Sequence, residues 1–276
     1  MNTLSIKDIQ SISLDILSDI HQFCMENGIR YSLAYGTLIG AIRHKGFIPW
    51  DDDADIMMPR PDYIRFCQTF KSSRFRVISE YDADSYIQYA RVYDAKDTLF
   101  TSYSPRSKNY QGGVWIDVFP LDGAEEDYDA FVNRSKKLCK LRIWQVRFRD
   151  AKADLSKVED KKLKLRLIAK RIVYLNGIFL KLVNKKMSSL GQKIPYGQTK
   201  YWSDFMSIDD SYNWEYQALE DFQDTILVPF EDRELCICTG YDRVLRQYYG
   251  DYMQLPPEEK RKPYHIWQSF VWKDKE

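Results

Sequence analysis

Apolar residues near the start of the chain recur at the intervals of a helix. Eight of them, within residues 4–26, would share a single face: Ile6, Ile9, Ile12, Leu14, Ile16, Leu17, Ile20 and Phe23. Ser5 is followed by Asp8 with the spacing of a capping box, and Gly28 supplies a helix stop. The pattern therefore predicts a helix over residues 4–26. Further helices are predicted at 38–45, 62–70 and 241–249.

Strands are predicted where aromatic and β-branched residues cluster, at 29–35, 75–79, 87–93, 114–119 and 226–228. The first of them is followed by Gly36 and Thr37 and then by a predicted helix. This order is typical of a phosphate-binding turn, because glycine lets the main chain approach a phosphate and a helix N-terminus adds positive potential. Strands interspersed with helices indicate an α+β protein.

An acidic segment, residues 51–55, precedes an apolar run that Pro59 ends. If the segment is extended, Asp53 and Asp55 point to one face and lie about 7 Å apart, while Ala54 and its alternate neighbours point to the other. Two such carboxylates repel each other when they are buried without a counter-charge. A hard divalent cation removes that repulsion, and carboxylate oxygens are the ligands that Mg²⁺ and Mn²⁺ prefer.

Asp117 is the natural third member of this group. It is the one charge within an apolar strand, Trp-Ile-Asp-Val-Phe, where a carboxylate is costly unless it is paired or bound to a metal. A neighbouring strand would present it to the same cation, which could then neutralise charge on a transferred phosphoryl group. Asp51 and Asp52, directly after Trp50, fit a solvated loop as well as they fit the site.

The composition is that of a folded, soluble protein. The chain has 276 residues, of which 44% are hydrophobic and 29% charged, with a net charge of +1. No apolar run approaches the roughly 18 residues of a membrane span, and the N-terminus does not resemble a signal peptide, so we expect a cytoplasmic protein. The five cysteines lack regular spacing, which fits a reducing compartment and argues against a structural zinc site.

Charge is unevenly distributed along the chain. Residues 134–186 contain 18 Lys and Arg against 4 Asp and Glu, an excess of 14 positive charges, with apolar residues at helical spacing between them. We interpret this segment as a basic helical insertion in a single domain spanning residues 1–276. Its basic face is either a solvated surface or a contact with an anionic membrane or acceptor. Nucleic acid is not expected, since no module motif accompanies the charge.

Gly36-Thr37, Asp53-x-Asp55 and Asp117 together resemble the active-site pattern of the nucleotidyltransferase superfamily related to DNA polymerase beta. The run YGTLIGAIRHKGFIPWDDDADI, residues 35–56, closely resembles the LicD family, whose animal relatives include fukutin. The segment YYGDYMQLPPEEKR, residues 248–261, is similar to that family's ending. The resemblance implies a mixed sheet flanked by helices, with residues 134–186 as the least certain part.

The resemblance also implies a function. It is phosphocholine transfer from CDP-choline to a sugar hydroxyl of a teichoic acid or lipopolysaccharide, with CMP released. By position, Asp53, Asp55 and Asp117 would be the catalytic metal ligands, and Asp117 would also be a base for the acceptor hydroxyl. Gly36 and Thr37 would hold the diphosphate.

Other residues are candidates for donor binding. Arg43 and Lys45 fit phosphate clamps, and equally a basic helix end that complements the helix dipole. Trp50 is the ring nearest the acidic segment and is a candidate for recognition of choline, since aromatic faces bind quaternary ammonium groups. Arg91 and His265 could also face the site, and each fits a structural role as well.

Three alternatives remain open at this stage. The donor could carry another CDP-linked group, such as ribitol, glycerol or ethanolamine. The enzyme could be an ordinary nucleotidyltransferase that uses a nucleoside triphosphate. The chain could also be a non-catalytic adaptor that binds membranes or polyanions through its basic segment. Because bacterial acceptors of this family are built on lipid carriers, the resemblance implies peripheral attachment to the inner face of the membrane.

Overall fold

The computed structural model describes residues 2–82, 87–101, 112–153, 155–208, 215–263 and 270–274. Helix α1, Ile6–Asn27, confirms the first prediction. The Ser5 side chain accepts a hydrogen bond from the Asp8 N–H at 3.2 Å, and the Asp8 carboxylate accepts one from the Ser5 N–H at 2.8 Å. Gly28 ends the helix in the left-handed region, with φ 58°. The local capping signals therefore set both ends of this helix.

A mixed sheet forms the centre of the molecule. Its main path runs in the order β1 (Ser32–Leu33), β2 (Asp55–Pro59), β6 (Trp115–Ala124), β4 (Ala90–Asp94) and β3 (Phe75–Ile78). Strands β2 and β6 are parallel and the other neighbours on this path are antiparallel. The far end of β6 pairs with β7 (Tyr201–Ser203), which pairs with β8 (Gln217–Ala218).

The remaining strands form two smaller sheets. Strand β5 (Thr98–Phe100) pairs with β11 (Phe270–Trp272), close to the two ends of the chain. Strands β9 (Thr225–Phe230) and β10 (Arg233–Cys238) form an antiparallel hairpin. The fold is thus α+β, as the sequence predicts. All five cysteines are free thiols.

The segment after the first strand differs from the prediction. Only Ser32–Leu33 pairs as a strand, and helix α2, Tyr35–Ile39, begins before Gly36 and continues as a π-helical turn, Gly40–His44. Ala34 decides this boundary, because its N–H binds the Asp55 carbonyl and its own carbonyl already accepts the Leu38 N–H, both at 3.0 Å. Gly36 and Thr37 therefore lie in the first turn of a helix rather than in a turn that precedes one.

The remaining helices are α3 (Arg60–Thr69), α4 (Tyr128–Arg149), α5 (Lys161–Val173), α6 (Ile178–Gly191) and α7 (Tyr241–Tyr249). Helix α7 has the predicted bounds, and α3 begins two residues earlier than predicted. Helices α4 to α6 correspond to the basic segment. Among the described residues, no helix is both long and apolar enough to cross a membrane.

The two faces of the central sheet have different roles. Ile56, Met58, Ile116 and Val118 are fully buried and belong to the main core, which α1 covers. The alternate residues point to the opposite face, where Met57 and Phe119 belong to a second, smaller apolar cluster. The acidic residues Asp55 and Asp117 lie on that second face. The main core thus supports the strands from behind the acidic residues.

Candidate active site

Strand register places three charged residues in one row across the sheet. Asp55 on β2 lies opposite Asp117 on β6, and Asp117 lies opposite Arg91 on β4. Because side chains alternate along a strand, all three point to the same face. The structure therefore brings together two of the predicted ligands, Asp55 and Asp117, and it places Arg91, a weaker candidate, beside them.

Arg91 and Asp117 form a partly buried ion pair. The Arg91 Nε donates to Asp117 Oδ1 at 2.6 Å, and a terminal guanidinium nitrogen lies 3.4 Å from Oδ2. The guanidinium carbon is 4.6 Å from the centroid of the Trp115 ring and 5.7 Å from that of Tyr89. Arg91 is thus held by one carboxylate and two aromatic rings, and it partly neutralises the acidic row.

The three aspartates before β2 form a second acidic group. Asp51, Asp52 and Asp53 each offer a carboxylate oxygen, and these oxygens lie within 4.8 Å of one another. Asp53 precedes β2, which begins at Asp55, so the predicted strand alternation does not extend to it. Three hard oxygen ligands at this spacing fit a divalent cation. This grouping adds Asp51 and Asp52 to the candidate metal ligands.

The two acidic groups act on each other. Burial raises the pKa of Asp55 well above its usual value; Asp53, Asp117 and Asp51 raise it further, and Arg91 lowers it. The carboxylates of the loop and of the strands, which we call the acidic centre, are therefore close enough to disfavour each other's ionised form. A cation at that centre would stabilise the ionised form of all of them.

Gly36 and Thr37 shape this centre from helix α2. The Thr37 hydroxyl oxygen accepts a hydrogen bond from the Asp55 N–H at 2.9 Å, so it fixes the start of the acidic strand. A Cβ atom at residue 36 would lie only 2.8 Å from Asp51 Oδ2. Glycine is therefore required for the Asp51 carboxylate to occupy its position. Their predicted contact with a diphosphate stays a prediction.

Arg43, Lys45 and Trp50 have other contacts in this structure. Arg43 donates to the main-chain carbonyl of Tyr252 at 2.6 Å, and its pKa is lowered by burial and by the neighbouring Arg261. The carbonyl of Lys45, a residue with φ 60°, accepts the Glu231 N–H at 2.7 Å.

The Trp50 ring lies 5.8 Å from the Arg261 guanidinium carbon. Trp50 and Arg43 thus contact the C-terminal segment that carries the second sequence resemblance. The donor-binding roles of Arg43, Lys45 and Trp50 stay predictions, and His265 lies outside the described residues.

Tyr249, at the end of α7, is a site residue that the sequence did not indicate. Its pKa is raised by burial and then by the carboxylates of Asp55, Glu215, Asp51 and Asp53. The acidic centre therefore acts electrostatically on this phenol, and the residue is 43% exposed. Helical periodicity alone predicts α7 but does not indicate that its last residue turns towards a distant strand.

Comparison with known proteins gives a family match that covers these residues. Residues 28–139 match a family described as LicD/FKTN/FKRP, nucleotidyltransferase domain, and this range contains the acidic loop, Asp55, Arg91 and Asp117. Over 276 aligned residues the chain is 32% identical to the lipopolysaccharide cholinephosphotransferase LicD of Haemophilus influenzae, covering 98% of this chain and 100% of the relative.

Shorter matches link the chain to uncharacterized proteins of two Rickettsia species. One, from Rickettsia typhi, is 40% identical over 76 residues, 26% of this chain and 25% of the relative. The other, from Rickettsia prowazekii, is 34% identical over 80 residues, 29% and 27% of the two chains. The site and the full-length match together define the class of this protein, which is an enzyme of the transferase type. It belongs to the LicD family.

Proposed function

We propose that this enzyme transfers phosphocholine from CDP-choline to a sugar hydroxyl of a cell-surface glycan and releases CMP. The observation that carries the proposal is the full-length similarity to a lipopolysaccharide cholinephosphotransferase, combined with Asp55 and Asp117 as register partners. The acceptor that this similarity favours is of the lipopolysaccharide type, and a teichoic acid is the alternative. The fold that accompanies it is the polymerase beta-like nucleotidyltransferase fold, in one domain with a helical insertion.

The acidic centre fits a bound Mg²⁺ or Mn²⁺ ion. Its donor set consists of hard carboxylate oxygens, three of them within 4.8 Å of one another. Burial, and then Asp53, Asp117 and Asp51, raise the pKa of Asp55. Asp53, Asp55 and Asp117 would hold the ion, with Asp51 and Asp52 beside them. When bound, the ion supplies charge neutralisation on the diphosphate and its leaving group.

The residues of the chain would then position the reacting groups. The acceptor hydroxyl oxygen forms a bond to the phosphorus that carries choline, the bond from that phosphorus to the CMP oxygen breaks, and CMP leaves with the electron pair. Asp117 would accept the proton of the acceptor hydroxyl, and Arg91 would keep the Asp117 carboxylate in place at 2.6 Å. Gly36 and Thr37, in the first turn of α2, would contact the diphosphate.

We also propose that the basic insertion attaches the enzyme to the cytoplasmic face of an anionic membrane. Its helices expose eleven large apolar side chains among the basic ones: Ile143, Trp144, Val146, Leu165, Ile168, Ile172, Val173, Leu175, Ile178, Phe179 and Leu182. Exposed apolar side chains surrounded by Lys and Arg are typical of helices that lie in a membrane interface. Arg134 does not contribute to this surface, because it is buried and donates to the Gly123 carbonyl at 2.6 Å.

The transfer is tested by measuring CMP release from CDP-choline with a glycan acceptor, with and without Mg²⁺. We expect release only with both, and a loss of at least about 100-fold in Asp53→Asn and in Asp55→Asn. Asp232→Asn, which alters an aspartate whose side chain is 68% exposed, is the matched control and should retain full activity. Full activity of Asp55→Asn would contradict the proposed site.

The same assay separates the alternatives. Faster turnover with CDP-ribitol, CDP-glycerol or CDP-ethanolamine would keep the site and change the donor. Release of pyrophosphate from CTP or ATP would indicate an ordinary nucleotidyltransferase. Sedimentation with vesicles that contain phosphatidylserine tests the membrane contact. Replacing Lys and Arg of α5 by Glu should abolish sedimentation and leave turnover on a soluble acceptor intact.

A further inference from the structure

An aromatic row lies next to the acidic row on the same face of the sheet. Moving along the strands by two residues, the register partners Asp55 and Asp117 are followed by Met57 and Phe119. Tyr89, two residues before Arg91, lies beside Phe119 with ring centroids 4.7 Å apart. The two rows are therefore separated by one same-face step, about 7 Å along the strand.

Two tyrosines from neighbouring helices pack against this row. The Tyr35 ring of α2 lies 5.3 Å from the Phe119 ring and 5.4 Å from the Tyr248 ring of α7, between centroids, in edge-to-face arrangements. Tyr249 follows Tyr248, with ring centroids 5.8 Å apart, and its pKa is raised by burial and then by carboxylates that include Asp55. We call these five residues, Tyr35, Tyr89, Phe119, Tyr248 and Tyr249, the ring group.

Two carboxylates lie behind the rings. The Tyr35 hydroxyl donates to Asp204 at 2.9 Å, and the Tyr248 hydroxyl donates to Glu215 at 2.8 Å. Asp204 is fully buried. A phenol that donates to a carboxylate carries more electron density on its ring, and the carboxylates add negative charge to the surroundings. Both effects favour a cation at the ring faces.

Tyr35 also has an uncommon main-chain conformation. Its φ is 47°, in the left-handed region, where a bulky residue is strained. The hydrogen bond to Asp204 and the contact with Phe119 hold the ring in this position. The fold thus retains an unfavourable main-chain conformation at Tyr35, which apolar packing of the ring alone would not require.

We propose that the ring group binds the quaternary ammonium of the donor while the diphosphate lies against the acidic row. The inference rests on the proposed function and assigns its head-group recognition to residues of α2, β6 and α7 and of the segment just before β4. The short chain of bonds between phosphorus and nitrogen in phosphocholine spans a distance similar to the step between the rows. Tyr249 is 43% exposed and Tyr35 and Tyr89 are half-buried, so a ligand would reach the group through these three rings, while Phe119 and Tyr248, each 7% exposed, pack behind them.

This assignment differs from the one that sequence position favours. Trp50 is nearest the acidic segment in sequence, but it is not on the strands of the acidic row. Its ring lies 5.8 Å from the Arg261 guanidinium carbon, much as the Tyr89 ring lies 5.7 Å from that of Arg91. The ring group lies between the acidic row and two buried or half-buried carboxylates. A neutral head group such as ribitol would gain nothing from that negative surrounding, so the group predicts a preference for choline.

The test compares the binding of CDP-choline and CMP by titration calorimetry in the full-length protein with Mg²⁺. We expect Tyr249→Leu to weaken CDP-choline binding about 10-fold or more and to leave CMP binding within about 2-fold, because CMP lacks the ammonium. Tyr249→Phe keeps an aromatic face and should restore most of the affinity. Phe119→Leu, which leaves every hydroxyl in place, should reproduce the loss, with thermal unfolding as the check on folding.

Tyr128→Leu is the matched control, because Tyr128 is 46% exposed and lies on α4; it should bind CDP-choline as the wild type does. Equal losses for CDP-choline and CMP, or no loss in Tyr249→Leu and Phe119→Leu, would overturn the ring assignment. If the wild type binds CDP-choline more tightly than CMP and these variants do so to the same extent, the proposed function stands and the ring assignment is wrong. If the wild type does not bind CDP-choline more tightly than CMP, both the proposed function and the ring assignment are wrong.

Discussion

Asp55 and Asp117 face each other across two parallel strands, and Asp117 is at the same time the register partner of Arg91. Among the described residues, the Arg91 guanidinium pairs with Asp117, the strand partner of Asp55. The surplus of negative charge raises the pKa of Asp55, after burial, through its acidic neighbours. Burial and repulsion of this kind disfavour the ionised form of Asp55 in the folded protein.

The first prediction concerns this surplus. Asp55→Asn should raise the free energy of unfolding by about 1–2 kcal/mol at pH 7 in the absence of divalent ions, since it removes a buried charge that its neighbours disfavour. The same variant should lose turnover. Urea unfolding in EDTA measures the first effect. Added Mg²⁺ should then stabilise the wild type and have little effect on the variant.

Asp232→Asn again serves as the control for these unfolding measurements. It should shift neither the stability in EDTA nor the response to Mg²⁺. A loss of stability in Asp55→Asn would mean that the carboxylate has a favourable partner that outweighs the repulsion. The contact between the Thr37 hydroxyl and the Asp55 N–H is unchanged by this substitution, so it does not complicate the comparison.

The second prediction concerns Gly36. Gly36→Ala should leave stability unchanged or slightly higher, because alanine favours a helix by up to about 1 kcal/mol. The new Cβ would lie 2.8 Å from Asp51 Oδ2, so the Asp51 carboxylate must move. We expect turnover to fall about 10-fold and the Mg²⁺ concentration for half-maximal activity to rise. A fully active Gly36→Ala would remove Asp51 from the metal site.

The third prediction concerns a buried ion cluster behind the site. Arg60 donates to Asp122 at 2.6 Å and to Glu80 at 2.9 Å, and all three side chains are buried. Arg60→Gln would leave two buried carboxylates without their cation, and should cost about 3–5 kcal/mol in urea unfolding. Arg65→Gln, which alters a half-exposed partner of Asp62, should cost less than about 1 kcal/mol. Equal losses of unfolding free energy in the two variants would contradict a stabilising role for the buried cluster.

The fourth prediction is a pH dependence. Burial alone would raise the pKa of Asp94, but hydrogen bonds from Arg74 and from the Asp97 and Lys96 N–H groups outweigh it, so the pKa is lowered. A lowered pKa stabilises the folded state at pH values above the unfolded pKa, and this contribution disappears as the pH falls through the folded pKa.

Asp94→Asn should therefore be about 2–3 kcal/mol less stable than the wild type at pH 7, and the difference should shrink below about pH 4. Asp15→Asn removes a half-exposed carboxylate from the same Arg74 and should show little of this dependence. Unfolding in urea at a series of pH values measures both. A difference that stays constant down to pH 3 would contradict the prediction.

The sequence predicts correctly the helices whose ends depend on residues close by in the chain. The capping residues around α1 and the bounds of α7 depend on neighbours within a few residues, so the sequence sufficed. The start of α2 was predicted wrongly, because Ala34 is held by the Asp55 carbonyl, a partner on another strand. Propensity alone extends the preceding strand, and a long-range hydrogen bond ends it.

The candidate site shows the same division. The alternation of charge within apolar runs indicated Asp55 and Asp117, and the register between β2 and β6 then placed them side by side. Phe119, Tyr89 and Tyr249 carried no signal of their own, because aromatic residues on apolar faces usually form core. Their positions beside the acidic row follow from strand register and helix placement, which a single sequence does not specify.

Strand β6 joins two regions that the proposed function uses separately. Asp117 lies near its start, and at its end the Gly123 carbonyl accepts a hydrogen bond from Arg134 of α4, the first helix of the insertion. The intervening extended chain spans on the order of 20 Å. If the insertion lies on the membrane, this strand holds the reacting groups at a fixed height above the lipid. The enzyme would then select acceptor sugars by their distance from the lipid anchor, because sugars too close to the anchor would not reach the acidic row.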